Sequence, residues 1–370
     1  MPILWCAISA HGYGHAAQVV PVLNAAGRLV PDLRVVLRTQ VPAWFFEQRL
    51  HVPWLLSPAE QDIGCIQRGP LEIDVEATWE AHRRLHADWE DHLAREAEAM
   101  RTQAPALVLA DIPYLAIAAA ARAGLPAVGL SSLSWDRVLA GYVSKEPATR
   151  REQLALIQGI EQAYASAEVM IRLAPGIPLT AFRKIADVGP VAWASDPAPL
   201  PVRDAVRAQP RDRLVLVAFG GVDLLELPFD AMEQMAPYRF LVSGPVPERL
   251  QRVHPVTRIP FPFHTVLASV DTIMTKPGYS TVVEAVATRR PVVYVRRHHF
   301  VDEQTLVDYL HRYGHGVDLS PADFAAGRWA PALDAALSPS SPPPQPPPPS
   351  GAQEAADVLY KYLEPRAGKS

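Results

Sequence analysis

Cysteine is nearly missing from this chain: only Cys6 and Cys65 occur in 370 residues. A disulfide framework is therefore excluded as a source of stability, and a reducing, cytoplasmic compartment is the expectation. No apolar run approaches the roughly 18 residues that a membrane-spanning helix needs, so any membrane contact would be peripheral. The apolar start Met1-Pro2-Ile3-Leu4-Trp5-Cys6-Ala7-Ile8 has no basic lead and runs straight into a Gly/His turn, which suits a first strand and not a signal peptide. Neither sign of charge dominates, since 35 Lys and Arg stand against 39 Asp and Glu for a formal charge of -4. No nucleic-acid partner is expected without a basic face.

What is present is an ordinary globular composition, 49% hydrophobic and 20% charged, long enough for about two domains. Short apolar runs alternate with longer amphipathic stretches, the pattern of parallel strands joined by crossover helices. Strands are expected at Ile3 to Ile8, Arg34 to Thr39, Ala106 to Ala110, Ala127 to Leu130 and Val169 to Leu173. Helices are expected at Ala16 to Leu29, Val41 to Arg49, Glu76 to Arg101, Tyr114 to Ala123 and Thr149 to Ser166. The rhythm restarts with strands at Arg213 to Ala218, Tyr238 to Ser243, Thr257 to Ile259, Thr272 to Thr275 and Pro291 to Arg296.

These runs place one α/β domain at 1–190, a proline-rich connection at 191–212 and a second α/β domain at 213–337. Residues 338–350 hold eight prolines, a composition that makes an extended spacer. Within the closing segment 351–370, Gln353 to Leu363 has the apolar spacing of a short helix that packs back on the body. Ligands of parallel sheets bind beyond the carboxyl ends of the strands, so the residues there carry the functional reading.

After the first strand comes Ser9-Ala10-His11-Gly12-Tyr13-Gly14-His15. Gly12 and Gly14 let backbone approach a ligand, and His15 at a helix start can take a proton from a hydroxyl. On its own this is equally a structural turn with incidental histidines, and no third ligand follows to make a metal site. Asp111, after its strand, can orient an imidazole or cap the next helix. Trp135 and Asp136 can contact a sugar or staple a loop. Gly220 and Gly221 form the first turn of the second half.

The densest signal is Thr275-Lys276-Pro277-Gly278-Tyr279-Ser280-Thr281 with Glu284, followed about 20 residues later by Arg296, Arg297, Asp302, Glu303 and Gln304. Gly278, Ser280 and Thr281 at a helix N-terminus offer donors and little bulk to a diphosphate. Glu284 can accept from ribose hydroxyls, Asp302, Glu303 and Gln304 from those of a sugar, and Arg296 and Arg297 can pair with phosphate or with local carboxylates.

At these residues the chain resembles the GT-B class of nucleotide-sugar-dependent glycosyltransferases, and within it the glycosyltransferase-like N-terminal region of plant L-arabinokinases. The similar segments are His11 to His15, Ser134 to Asp136 with Gly141 to Val143, Phe219 to Gly221, Gly278 to Ala285, and Val295 to Arg297 with Phe300 and Glu303. The resemblance implies a GT-B fold, two Rossmann-like domains facing a cleft with a C-terminal helix crossing back to the first. It implies a metal-independent enzyme with no cofactor, a nucleotide-sugar (UDP-sugar) as co-substrate and a separate acceptor.

It implies His15 as general base, Glu284 as the ribose ligand, and Glu303 and Gln304 as the sugar ligands. The reading of the residues adds Asp111 behind His15, an acceptor held by His11, Gly12, Gly14, Trp135 and Asp136, and a donor held also by Gly220, Gly221, Lys276, Gly278, Tyr279, Ser280, Thr281 and Arg296. Lys276-Pro277 replaces the commoner lead-in to the diphosphate turn, and Lys276 still suits an anion. The sugar-kinase part of arabinokinase lies outside these 370 residues, so its activity is not implied. Two other readings fit the same residues, a nucleotide-sugar hydrolase or 2-epimerase and a non-catalytic nucleotide-sugar-binding module.

Overall fold

A computed structural model describes residues 1–193, 196–221, 227–297, 300–338 and 341–364. Among them, seven strands make the first sheet: β1 (Ile3–Ile8), β2 (Arg34–Arg38), β3 (Trp54–Ser57), β4 (Leu107–Asp111), β5 (Ala127–Ser131), β6 (Val169–Leu173) and β7 (Ile185–Val188). Six make the second: β8 (Arg213–Val217), β9 (Tyr238–Val242), β10 (Val253–Pro255), β11 (Thr272–Thr275), β12 (Val292–Tyr294) and β13 (Gly316–Asp318). The orders are β3-β2-β1-β4-β5-β6-β7 and β10-β9-β8-β11-β12-β13, and paired strands run parallel. Each is a doubly wound sheet whose order reverses beside its first strand.

The central strands are largely apolar because helices cover both sheet faces. Leu4 to Ile8 of β1 and all of β4 are buried. Helix Gly14–Leu29 lies over the first sheet, and the last helix, Gly351–Leu363, packs against it. That docking is tight. The Gly351 amide donates to the Pro190 carbonyl at 3.0 Å, the Gly189 amide to the Glu354 carboxylate at 2.8 Å, and a Cβ on Gly351 would fall 2.0 Å from the Gly189 carbonyl oxygen. The last helix thus belongs to the first sheet, as the apolar spacing of Gln353 to Leu363 requires.

Two expected elements are corrected. The single helix from Glu76 to Arg101 is two, Val75–Ala87 and Trp89–Gln103, because Asp88 leaves helical geometry at φ -105°, ψ 24°. Aspartate disfavours helix interiors, and the break lets Trp89 stack on His86 and Tyr114. The strand expected at Thr257 to Ile259 is a 3-10 turn at Val256–Arg258, and the pairing with β9 falls earlier, at Val253–Pro255. A proline can end an edge strand there without costing a ladder bond. The connection after β7 also contains a short helix, Pro199–Ala205. Residues 341–350 of the proline tract carry no regular structure. Positions 339 and 340 of that tract, and the tail 365–370, lie outside the described residues. No helix among those described is long and apolar enough to cross a membrane.

Candidate functional site

Both sheets turn their switch points toward each other. The loop after β1 meets the loop after β8: the Tyr13 amide donates to the Gly220 carbonyl at 3.4 Å, and the Ser280 hydroxyl to the Gly14 carbonyl at 3.2 Å. Glycine is needed on both sides. Gly12 (φ +80°) would place a Cβ 2.9 Å from the Gly220 oxygen, and Gly221 (φ +79°) would drive one to 2.3 Å from the Tyr13 ring.

On the first sheet, parallel register sets Ile8 of β1 beside Asp111 of β4. His15, in the first turn of the following helix, thereby reaches Asp111, with Nδ1 and Oδ1 2.9 Å apart and both residues buried. Burial works against the imidazolium, but the Asp111 carboxylate, with Asp62 and Asp302 farther off, outweighs it and lifts the His15 pKa. With Nδ1 committed to Asp111, Nε2 is the nitrogen left for a substrate.

Beside this dyad stands Asp62. It accepts from the Ser9 hydroxyl at 3.0 Å and from the Trp135 indole N–H at 2.7 Å, and burial pushes its carboxyl up to about 6. The Trp135 ring lies 5.4 Å from His11 and 5.9 Å from His15, between centroids. His11 is the opposite of its neighbour: burial first, then Lys276, His15 and Arg297, hold it well below the usual imidazole range. The Cys65 amide donates to His11 Nδ1 at 3.4 Å, so in the neutral ring Nε2 carries the proton. Its partner at 2.9 Å is Nε2 of the Gln67 side chain, and an Nε2–H on His11 requires that amide turned to present its oxygen. Asp136 is buried in the next helical turn, where burial raises its carboxyl.

On the second sheet, Lys276 follows β11 and is almost wholly buried beneath Gly220, whose Cβ would stand 3.5 Å from its Cε. Burial, reinforced by Arg297, brings the ammonium down to about 7. Arg297 is buried as well, donating to the Pro277 carbonyl at 3.1 Å with its guanidinium 3.9 Å from the centre of the Phe300 ring. Glu303 accepts the Arg297 amide at 2.8 Å, and burial lifts it to about 7. Asp302 is buried at the N-cap of helix Glu303–Tyr313, near enough to feel His15, Lys276 and Arg297. Two buried cations thus face a histidine–aspartate pair across the meeting of the sheets.

The remaining expected residues divide. Gly278 is the N-cap of helix Tyr279–Ala287, with Ser280 and Thr281 half-buried in its first turn. Tyr279 points elsewhere, its hydroxyl taken up by the Ala174 carbonyl and the Val191 amide. Gln304 is exposed and pairs with Arg296 at 3.0 Å and Asp308 at 2.7 Å, so both Arg296 and Gln304 lie to the outside while Asp302 faces inward. Glu284 is buried, pushed up to about 8 by that burial although Arg49 of the first half acts in the other direction. Asp62 and Gln67 were not anticipated. They follow β3, an unrecognised strand, and the rule that functional residues lie beyond strand ends would have found them had β3 been seen. No group of three or more His, Cys, Asp or Glu able to hold a metal occurs among the described residues.

No family model matches the chain. In sequence it is 29% identical over 340 residues to the L-arabinokinase of Arabidopsis thaliana, which covers 90% of this chain and 32% of that protein. The chain thus spans about a third of the length of that relative. Solved structures of the same shape include CalG4, the calicheamicin glycosyltransferase (19% identical, TM-score 0.60, 99% of each chain). Another is Arabidopsis thaliana UGT89C1 complexed with quercetin (14%, TM-score 0.61, 100% of this chain and 96% of that one). A third is the glycotransferase of kitacinnamycin (14%, TM-score 0.61, 98% of each). With two doubly wound sheets, facing switch points and a last helix returning to the first sheet, the chain has the GT-B fold of glycosyltransferases.

Proposed function

We propose that the chain transfers a sugar from a nucleoside-diphosphate donor, a UDP-sugar, to an acceptor hydroxyl. The observation that carries this reading is His15, held by Asp111 at 2.9 Å, opposite the buried cations Lys276 and Arg297. His15 Nε2 takes the acceptor proton, and the oxygen attacks the anomeric carbon. The C–O bond to the diphosphate breaks as the new one forms, and the departing charge falls to Lys276 and the amides at the start of helix Tyr279–Ala287. Glu303 and Asp302 hold the sugar of the donor, and Glu284 its ribose.

A buried ammonium brought down to about 7 suits this task. It is neutral enough to be tolerated in the empty site, and a diphosphate restores its charge where the charge is used. Solved relatives of the fold carry UDP, as in Arabidopsis thaliana UGT89C1, which supports a uridine nucleotide as first choice. The test is donor turnover with a UDP-sugar panel and mixed acceptors: native protein releases UDP only when acceptor is present, and His15→Ala abolishes the release. UDP release without acceptor would assign hydrolysis instead. Binding without any turnover would leave a nucleotide-sugar-binding module.

A further inference from the structure

Where the two halves meet, several buried polar atoms have no hydrogen-bond partner: the Tyr142 hydroxyl, Asp302 Oδ1, one end of the Gln67 amide, and Arg297 Nε, which has only a long ion pair with Glu303 at 3.9 Å. They belong together. Tyr142 feels the charges of Arg297, Asp302 and Glu303, and Asp302 those of His15 and Lys276. Gln67 touches His11, which in turn feels His15 and Arg297. Asp302 and Arg297 are each only 5% exposed, so bulk water does not serve them.

Buried donors and acceptors are nearly always satisfied in folded proteins, and a cluster of unpaired ones on facing loops is suited to receive a polar ligand. The orphans are mixed in kind. Arg297 Nε only donates, Asp302 Oδ1 accepts, and the tyrosine hydroxyl does both. A flat apolar molecule placed among them would leave every one unpaired, whereas vicinal hydroxyls, each a donor and an acceptor, match the set. Such a site rejects a ligand lacking hydroxyls far more strongly than an apolar pocket rejects one that has them.

Resting on the transfer reading above, we propose that the acceptor is a compact polyhydroxylated molecule, a carbohydrate or polyol, and not a planar aromatic one. Tyr142 and Gln67 read its hydroxyls from the first half, and Arg297 closes on it from the second. Asp302 lies at the seam between this molecule and the sugar of the donor.

The experiment follows the thermal unfolding of the full chain with UDP alone, with a UDP-sugar, and with UDP plus free aldoses and alditols or a planar monophenol such as 2-naphthol. Ligands of the native state raise its apparent stability. A carbohydrate is expected to raise the midpoint beyond UDP alone, with no gain from the phenol. Tyr142→Phe and Gln67→Leu should each weaken carbohydrate binding roughly five- to tenfold, the loss of one hydrogen bond, and leave the shift given by UDP intact, which also reports that they fold. Three results overturn the proposal: stabilisation by the phenol in place of the carbohydrate, no gain from any carbohydrate, or loss in Tyr142→Phe of a UDP-sugar's advantage over UDP. The last would give the tyrosine to the donor. If UDP itself gives no shift, the donor reading fails separately, and the carbohydrate arms without nucleotide decide the acceptor class by the same outcomes.

Discussion

Asp111 engages Nδ1 of His15 at 2.9 Å, and that contact leaves Nε2 as the free ring nitrogen and raises the basicity of the ring. Burial alone would depress the imidazole; the carboxylate reverses the sign. Asp111→Asn leaves the burial and removes the charge. Transfer should fall on the order of 10²- to 10⁴-fold, and the acid limb of the pH–rate profile should move to lower pH, since His15 then loses its proton more readily. An NMR titration of the His15 ring checks the direction without any assay. A pKa unchanged in Asp111→Asn would remove Asp111 as its cause.

In the proposed reaction Lys276 should make donor binding depend on pH. Free, its ammonium sits at about 7 because of burial and Arg297; a bound diphosphate raises it. Between the two values binding takes up a proton, so UDP affinity should decline as pH rises above about 7. Calorimetry in buffers of different ionisation heat reads the uptake directly. Lys276→Met should bind more weakly and take up none, whereas equal uptake by both proteins would place the proton elsewhere.

Glu284 should cost stability near neutral pH. Its folded pKa of about 8 lies above the ordinary 4.5, so the folded state favours the protonated acid. That contribution is complete below the unfolded value and is lost as pH rises toward 8, at roughly 1.4 kcal/mol per pH unit. Glu284→Gln should therefore resist urea better than the native chain at neutral pH, with the gap closing in mild acid. A gap independent of pH would mean that the carboxyl is charged in the fold.

Asp62 is a positioning residue, holding the Ser9 hydroxyl and the Trp135 indole at once. Asp62→Leu strands both donors and should lose about 2–4 kcal/mol in urea unfolding. Asp62→Asn keeps one acceptor and should lose less, yet it removes a charge that helps raise His15. Its separate signature is a lower His15 pKa by NMR, which simple loosening of the loop would not produce.

Gly351→Ala tests the docking of the last helix. The added methyl meets the Gly189 carbonyl oxygen at 2.0 Å, so overpacking should cost about 1–3 kcal/mol. Proteolysis around residues 341–350 should accelerate with it, and an unchanged unfolding curve would show that the helix yields freely.

The sequence patterns that succeeded and failed divide by position in the sheets. Central strands such as β1, β4 and β11 are buried on both faces and announce themselves as apolar runs. The strands missed or displaced, β3, β7, β10 and β13, are the four sheet edges. They are short and partly exposed, so no clean period marks them. The candidate residues divide by the same rule. His15, Asp111 and Lys276 follow central strands, whereas Asp62 and Gln67 follow an edge strand. Which of Asp302 and Gln304 faces inward was set by the start of helix Glu303–Tyr313, a single-residue matter of phase that composition cannot fix.

The chain crosses between the two sheets twice, after β7 and again through the proline tract, and the crossings are fastened together where Gly351 donates to Pro190 and Glu354 receives Gly189. Two covalent connections joined at one point make a single fastening, so drawing the last helix away from the connection after β7 would break both hydrogen bonds at once.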